Sequence, residues 1–146
     1  MAGIIVGIDG SAHSRRALEW AVSEAAIRKA PLTVLTVHQA VAGWAGGGVA
    51  YPGDADLTAQ ARKKVQEETD SVLASLAAGN RPSSVTIEAV NGIPTVELLK
   101  AASDADMIVV GSRGGGGFAK LMLGSVSTQI VHHANCPVVV IPGERD

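Results

Sequence analysis

The stretch Val109-Val110-Gly111-Ser112-Arg113-Gly114-Gly115-Gly116-Gly117-Phe118-Ala119-Lys120-Leu121-Met122-Leu123-Gly124-Ser125 decides how the rest of the chain is read. It leaves a wholly apolar strand, Met107-Ile108-Val109-Val110, and enters a helix carrying Val126, Ile130 and Ala134 on one face. Gly111 and Gly114 let the backbone turn sharply off the strand and approach a ligand with no Cβ in the way. Gly124 and Ser125 stand at the helix start, where unpaired N–H groups and the positive end of the dipole favour phosphate oxygens. The Ser125 hydroxyl adds a further donor. Charge-assisted hydrogen bonds contribute about 1.5–3 kcal/mol each, so about three or four would hold a triphosphate at micromolar level after association costs. The plain alternative is a flexible loop with Ser125 as the helix cap. No Gly-Lys-Ser/Thr follows at Walker spacing. The match of Gly114-x-Gly116-x-x-Ala119 to the dinucleotide pattern lies inside the loop, with no acid near position 134 to hold a ribose.

Outward from this loop the hydrophobic period alternates between strand and helix. Ile4-Ile5-Val6-Gly7-Ile8 reads as a short buried strand closed by Asp9-Gly10-Ser11, and a helix follows over about 14–29 with Leu18, Ala21, Val22 and Ala25 on one face. The second strand is Leu32–Val37. Residues 39–56 carry Gly43, Gly46, Gly47, Gly48, Pro52 and Gly53, a long connection that suits a mobile segment or a flap over a site. Asp56 suits the cap of a helix from Leu57 that turns Leu57, Ala61, Val65, Val72 and Leu76 inward and stops at Gly79. Val85–Val90 alternates, with Thr86 and Glu88 on one face, as an edge strand does. Pro94 opens a short helix ending near Ser103, and after the glycine loop and last helix Pro137 precedes the strand Val138–Ile141. The order βαβαβαβαβ predicts an open parallel sheet with right-handed crossovers and helices on both faces. Ligands in such sheets bind beyond the carboxyl ends of the strands, which directs attention to the loops after strands one, two and four.

The 146 residues suit a single domain, 1–146, and its apolar content comes from Val, Ala, Leu and Ile rather than aromatics, as in a β-branched sheet under small-residue helices. Twelve Lys and Arg against fourteen Asp and Glu give a net charge of -2 with no basic tract, which argues against a nucleic-acid surface. The lone Cys136 cannot form an internal disulfide, no run reaches membrane-spanning length, and the first residues run straight into a strand without a leader pattern. A cytoplasmic protein with no membrane partner is the expectation.

Asp9, at the end of the first strand, can accept from an adenine amino group or a ribose hydroxyl, and Ser11 can add a polar contact. Both residues equally suit the plain task of shaping the turn into the first helix. Val37 ends the second strand, where it can pack on a base or serve only the core. Arg113 and Lys120 can counter phosphate charge or remain solvated. Adjacent His132 and His133 project about 100° apart on a helix, and Cys136 lies beyond its end. These three suit a helix C-terminus and a buried cysteine better than a metal site or Cys–His pair. His13 and His38 have no acid partner in sequence and suit hydrogen bonding at a site edge. A receiver domain would need an acid cluster after the first strand and a phosphoacceptor Asp after the third, where Val90-Asn91 stands. A flavin module would need more rings than Trp44 supplies.

Gly111-x2-Gly114-x9-Gly124-Ser125 resembles the nucleotide-binding signature of the universal stress protein family. The opening Ile5–Ser11 and the ending His133–Ile141 resemble that family too, so the likeness covers essentially the whole chain. It implies a Rossmann-like five-stranded sheet of order 3-2-1-4-5, of the adenine nucleotide α-hydrolase type, with ATP across the first and fourth strands. Carried over by position, Asp9 and Val37 would contact adenine, Gly111 and Gly114 the ribose and phosphates, and Gly124 and Ser125 the phosphates. With Ser11, Arg113, Val126 and Ser127 these complete the expected contact set, which contains no catalytic residue and no metal ligand. The intact signature resembles the family's ATP-binding branch, and the run of four glycines at 114–117 is the main departure from the family pattern. The ligand expected is ATP, with AMP or ADP as alternatives and Mg²⁺ carried by the phosphates. A homodimer through Val138–Ile141 is also implied. The expected role is a nucleotide-dependent regulatory or stress-tolerance module; slow ATP hydrolysis and a nucleotide-free dimeric interaction module are the alternatives.

Overall fold

The computed structural model describes residues 3–38, 43–45, 48–50, 54–77, 79–112 and 124–143. β1 (Ile4–Ile8) occupies the middle of the sheet, paired in parallel with β2 (Pro31–His38) on one side and β6 (Met107–Gly111) on the other. β5 (Ser84–Asn91) extends the sheet beyond β2, and β7 (Val138–Ile141) extends it beyond β6. The five strands therefore run β5-β2-β1-β6-β7, which is the expected order 3-2-1-4-5 for the strands of this sheet.

The helices divide between the two faces. α1 (Ala12–Arg28) and α2 (Asp54–Ala74) cover Ile4, Val6 and Ile8 with Leu18, Val22, Val65 and Val72. α3 (Pro94–Ala102) and α4 (Ser125–His133) cover Leu35, Ile108 and Val110 with Leu98, Ala102 and Ile130. The buried stripe of α1 is mostly alanine, so its backbone can approach the sheet closely. Arg62 on α2 donates from Nη1 to the Ile87 carbonyl at 2.8 Å, tying the helix to edge strand β5. Thr86 and Glu88 of that strand are exposed, as an edge position implies.

Several boundaries differ from the sequence expectation. α1 begins at Ala12 rather than 14, because Ser11 is its N-cap and accepts from the Ser14 amide at 3.3 Å. α2 begins at Asp54, which places Asp56 inside the helix instead of at its cap. Leu57 is 47% exposed and does not turn inward, whereas Val65 and Val72 are buried. Within the long connection, β3 (Gly43–Ala45) and β4 (Gly48–Ala50) pair as an antiparallel hairpin. α2 ends at Ala74 in tightened turns, Ser75 N–H to Val72 O and Leu76 N–H to Leu73 O, before Gly79 takes its left-handed φ of 89°. β2 runs one residue past Val37, because His38 still pairs with Asn91 of β5.

The N-cap interaction of Ser11 can be measured directly. Ser11→Ala is expected to lower stability by about 1 kcal/mol, while Ser11→Asp keeps it. Urea denaturation is the readout, and an unchanged midpoint in the alanine variant would show that the cap carries no energy.

Candidate functional site

The parallel register brings the carboxyl ends of β1, β2 and β6 to one rim, and a cleft of about 210 Å³ opens there on the α3/α4 face. β1 and the residue after it supply Gly7, Ile8 and Asp9; β2 supplies Leu35 and Val37. α3 supplies Pro94 and Leu98, β6 supplies Val110 and Gly111, and Gly124, Ser125, Val126 and Ser127 close the side at α4, with Ser14 reaching in from α1.

Among the described residues the Ser112 carbonyl ties down the start of α4. The Ser112 oxygen accepts from the Gly124 amide at 2.6 Å and from Ser127 Oγ at 3.1 Å. Ser112 in turn donates its own amide to Ile141 O of β7 at 2.8 Å. The two ends of the glycine segment are thereby fixed to each other and to the sheet. Gly124 is the N-cap in an extended conformation with no side-chain cap, and Ser125 is the first helical residue rather than the cap. A helix end of this kind leaves its first amides without intrahelical acceptors, so those of Ser125, Val126 and Ser127 carry the positive end of the dipole. The Gly124 amide is already spent on Ser112.

Asp9 is the one carboxylate among the described lining residues. Its Oδ1 accepts from the Ser11 amide at 2.9 Å, and its own amide donates to Ser14 Oγ at 3.3 Å. Ser14 Oγ donates to the Ser11 carbonyl at 3.0 Å. Asp9 and Ser11 therefore build the turn into α1, and Asp9 also lines the cleft. Ser11 itself does not line the cleft.

Of the expected contact set, the structure brings together Asp9, Val37, Gly111, Gly124, Ser125, Val126 and Ser127 on one cavity. Arg113, Gly114 and Lys120 lie outside the described residues. Sequence reasoning missed Gly7, Leu35, Pro94, Leu98 and Val110, the apolar floor and walls. The signal available was Gly7 itself, since a glycine interrupting an apolar strand marks a close approach. Outside the cleft lining, Glu68 on α2 is close enough to Asp9, Arg15 and Lys64 to feel their charges. Burial pushes the Glu68 carboxyl above its usual range against the opposing pull of Arg15 and Lys64.

None of His38, His132, His133 and Cys136 lines the cleft. His38 Nε2 lies 2.7 Å from Thr58 Oγ1, away from the cleft lining. His132 and His133 are exposed with ring centroids 6.4 Å apart. Cys136 is half-buried rather than buried, and desolvation pushes its thiol up, which disfavours a nucleophilic thiolate. Among the described residues no three His, Cys, Asp or Glu side chains gather in a way suited to a metal ion, and no helix is long and apolar enough to cross a membrane.

The model of the universal stress protein family matches residues 2–142. The chain is 38% identical over 141 residues to universal stress protein Rv2005c of Mycobacterium tuberculosis, covering 95% of this chain and 47% of that protein. It is 34% identical to a universal stress protein of Mycolicibacterium smegmatis, covering 97% of this chain and 48% of the relative. The chain thus spans about half the length of these relatives. Among solved structures, universal stress protein UspA from Lactobacillus plantarum superposes with a TM-score of 0.76 at 24% identity, covering 96% of this chain and 97% of that one. A universal stress protein crystallised in complex with cAMP superposes with a TM-score of 0.67 at 25% identity, covering 96% and 95%. With a match running from the strand that centres the sheet to the strand that ends it, the chain belongs to the universal stress protein family.

Proposed function

We propose that this chain binds an adenine nucleotide in the cleft, ATP foremost with ADP and AMP as alternatives, and works as a nucleotide-dependent regulatory or stress-tolerance module. The observation that carries this reading is the uncapped N-terminus of α4 opening onto the same cavity as Asp9 and an apolar floor. An anion suits the helix end, a flat apolar ring suits Leu35, Val37 and Leu98, and a hydroxyl or amino donor suits Asp9. Few ligands carry all three. The relative in complex with cAMP supports the choice of an adenine nucleotide. Gly111 and Gly124 supply small walls near the helix end, and Gly114 would supply a third. Mg²⁺ would be carried by the phosphates.

Binding without turnover is the favoured reading, because Asp9 is tied into a turn and no histidine lines the cleft among the described residues. Titration calorimetry is expected to give micromolar ATP affinity for the wild type. Gly114→Ala and Gly124→Ala should each lose about tenfold, or 1.4 kcal/mol. Equal affinity in the Gly114→Ala protein would remove the proposed backbone contacts. In a turnover assay, ADP release should stay at the buffer rate. Release well above it in the wild type, abolished in Gly124→Ala, would make the protein a slow hydrolase instead.

The proposal includes a homodimer through β7. Among the described residues that strand pairs only with β6, and its four residues are all partly exposed although every one is Val or Ile. Light scattering without nucleotide is expected to return twice the chain mass. A monomeric mass at working concentration would count against assembly through this edge.

A further inference from the structure

The central strand presents no side chain at Gly7, and the space so left is taken by a side chain of α3 at the edge of the cleft. On the α3/α4 face of β1, Gly7 stands opposite Leu98 of α3, and both line the cavity. A Cβ on Gly7 would stand 2.7 Å from Leu98 Cδ2 and 3.2 Å from Cδ1. Leu98 thus rests in the space that any other residue at position 7 would claim. It is only 5% exposed and is packed with Leu35, Ala102, Ile108, Val110 and Ile130. Leu98 thus belongs to a packed cluster on one side and lines the cleft on the other, so a displaced tip is expected to move toward the cleft.

We propose that Leu98, seated on the bare backbone of Gly7, sets the depth of the base-binding end of the cleft, making this pair the size filter for the inserted ring. The proposal rests on the nucleotide reading and specifies how that site selects its ligand. Interiors of proteins are close-packed, so a single methyl at position 7 is felt as a shift of its neighbour. The displacement narrows the space available to a ring lying in the cleft. Shortening Leu98 does the reverse and opens a pocket beneath it.

A double-mutant cycle tests this with AMP and its larger fluorescent analogue, 1,N6-ethenoadenosine monophosphate, titrated into the full chain. Gly7→Ala is expected to weaken AMP about tenfold, by overpacking into the cleft. The double variant Gly7→Ala/Leu98→Ala should return AMP affinity to within about threefold of Leu98→Ala alone, since coupled neighbours are non-additive. Wild type should prefer AMP to the etheno analogue, and Leu98→Ala should shrink that preference by about fivefold or more. Thermal melts establish that each variant is folded. Leu98→Val, with the same direction and a smaller change, serves should the alanine variant fail to fold. AMP binding unchanged in folded Gly7→Ala, or a double variant as weak as Gly7→Ala alone, overturns the proposal while leaving nucleotide binding intact. A wild type that takes up neither nucleotide overturns the nucleotide reading itself, and the size filter with it.

Discussion

Everything in this fold hangs on β1 being hydrogen-bonded in parallel on both sides, to β2 and to β6. A strand in that position is covered on both faces, and its residues must satisfy two different neighbours. Ile4, Val6 and Ile8 fill the layer beneath α1 and α2. On the other face Gly7 fills nothing. Leu98 of α3 settles on its bare backbone, and because all three strands point the same way the cleft beside this pair opens at the rim where Asp9 and Gly111 leave the sheet. The place of the cleft is thus a consequence of register, which aligns the carboxyl ends of β1, β2 and β6 at one rim.

The sequence showed the sheet well because its central strands are buried on both faces and therefore read as uninterrupted apolar runs, Ile4–Ile8 and Met107–Val110. Strand-end residues were legible for the same reason: once the strands are placed, Asp9, Val37 and Gly111 must fall at one rim. The segment 39–56 was harder. Its glycines suggest irregular chain, and the pairing of Trp44 with Val49 spans strands too short to show a period. Asp56 suits a helix cap, but α2 already begins at Asp54, and nothing local to Asp56 shows that the helix starts earlier. The inward face of α2 was predicted correctly at Val65 and Val72 but not at Leu57, since side-chain spacing gives a face without saying how far the covered sheet extends. Leu35 and Leu98 were out of reach for a different cause. They come from elements separated by some sixty positions in the chain, and only the packing of α3 onto β1 reveals that they share a cavity.

The local hydrogen bonds around the rim show how a turn and a binding site can share residues without competing. Ser11 spends its side chain on the α1 cap and stays off the cleft, while Asp9 uses one oxygen to fix the turn that holds it in place. The Ser112 carbonyl plays the corresponding part at α4, where it draws in the Gly124 amide and the Ser127 hydroxyl. Both devices fix backbone at the edge of the cavity before any ligand arrives, and pre-fixed donors and acceptors save the ordering cost that a flexible rim would incur on binding.

Charge then gives the cavity a direction. Among the described lining residues there is no lysine or arginine; the positive potential comes from the peptide dipoles of α4, and the one formal charge is the carboxylate of Asp9. Two walls of opposite sign act differently on the two ends of an amphiphilic anion. Asp9 repels a phosphate group and attracts a hydroxyl or amino hydrogen, while the helix end does the opposite. A ligand inserted backwards meets repulsion at both ends, so orientation follows from electrostatics before any shape matching is considered. Amides at a helix end also differ from lysine side chains in being immobile. They hold an anion only where its oxygens meet the N–H directions, which makes such a site selective for geometry rather than for total charge. On this reasoning an anion at the start of α4 would be chosen by the directions of the Ser125, Val126 and Ser127 amides and not by an excess of basic side chains, of which the described lining has none.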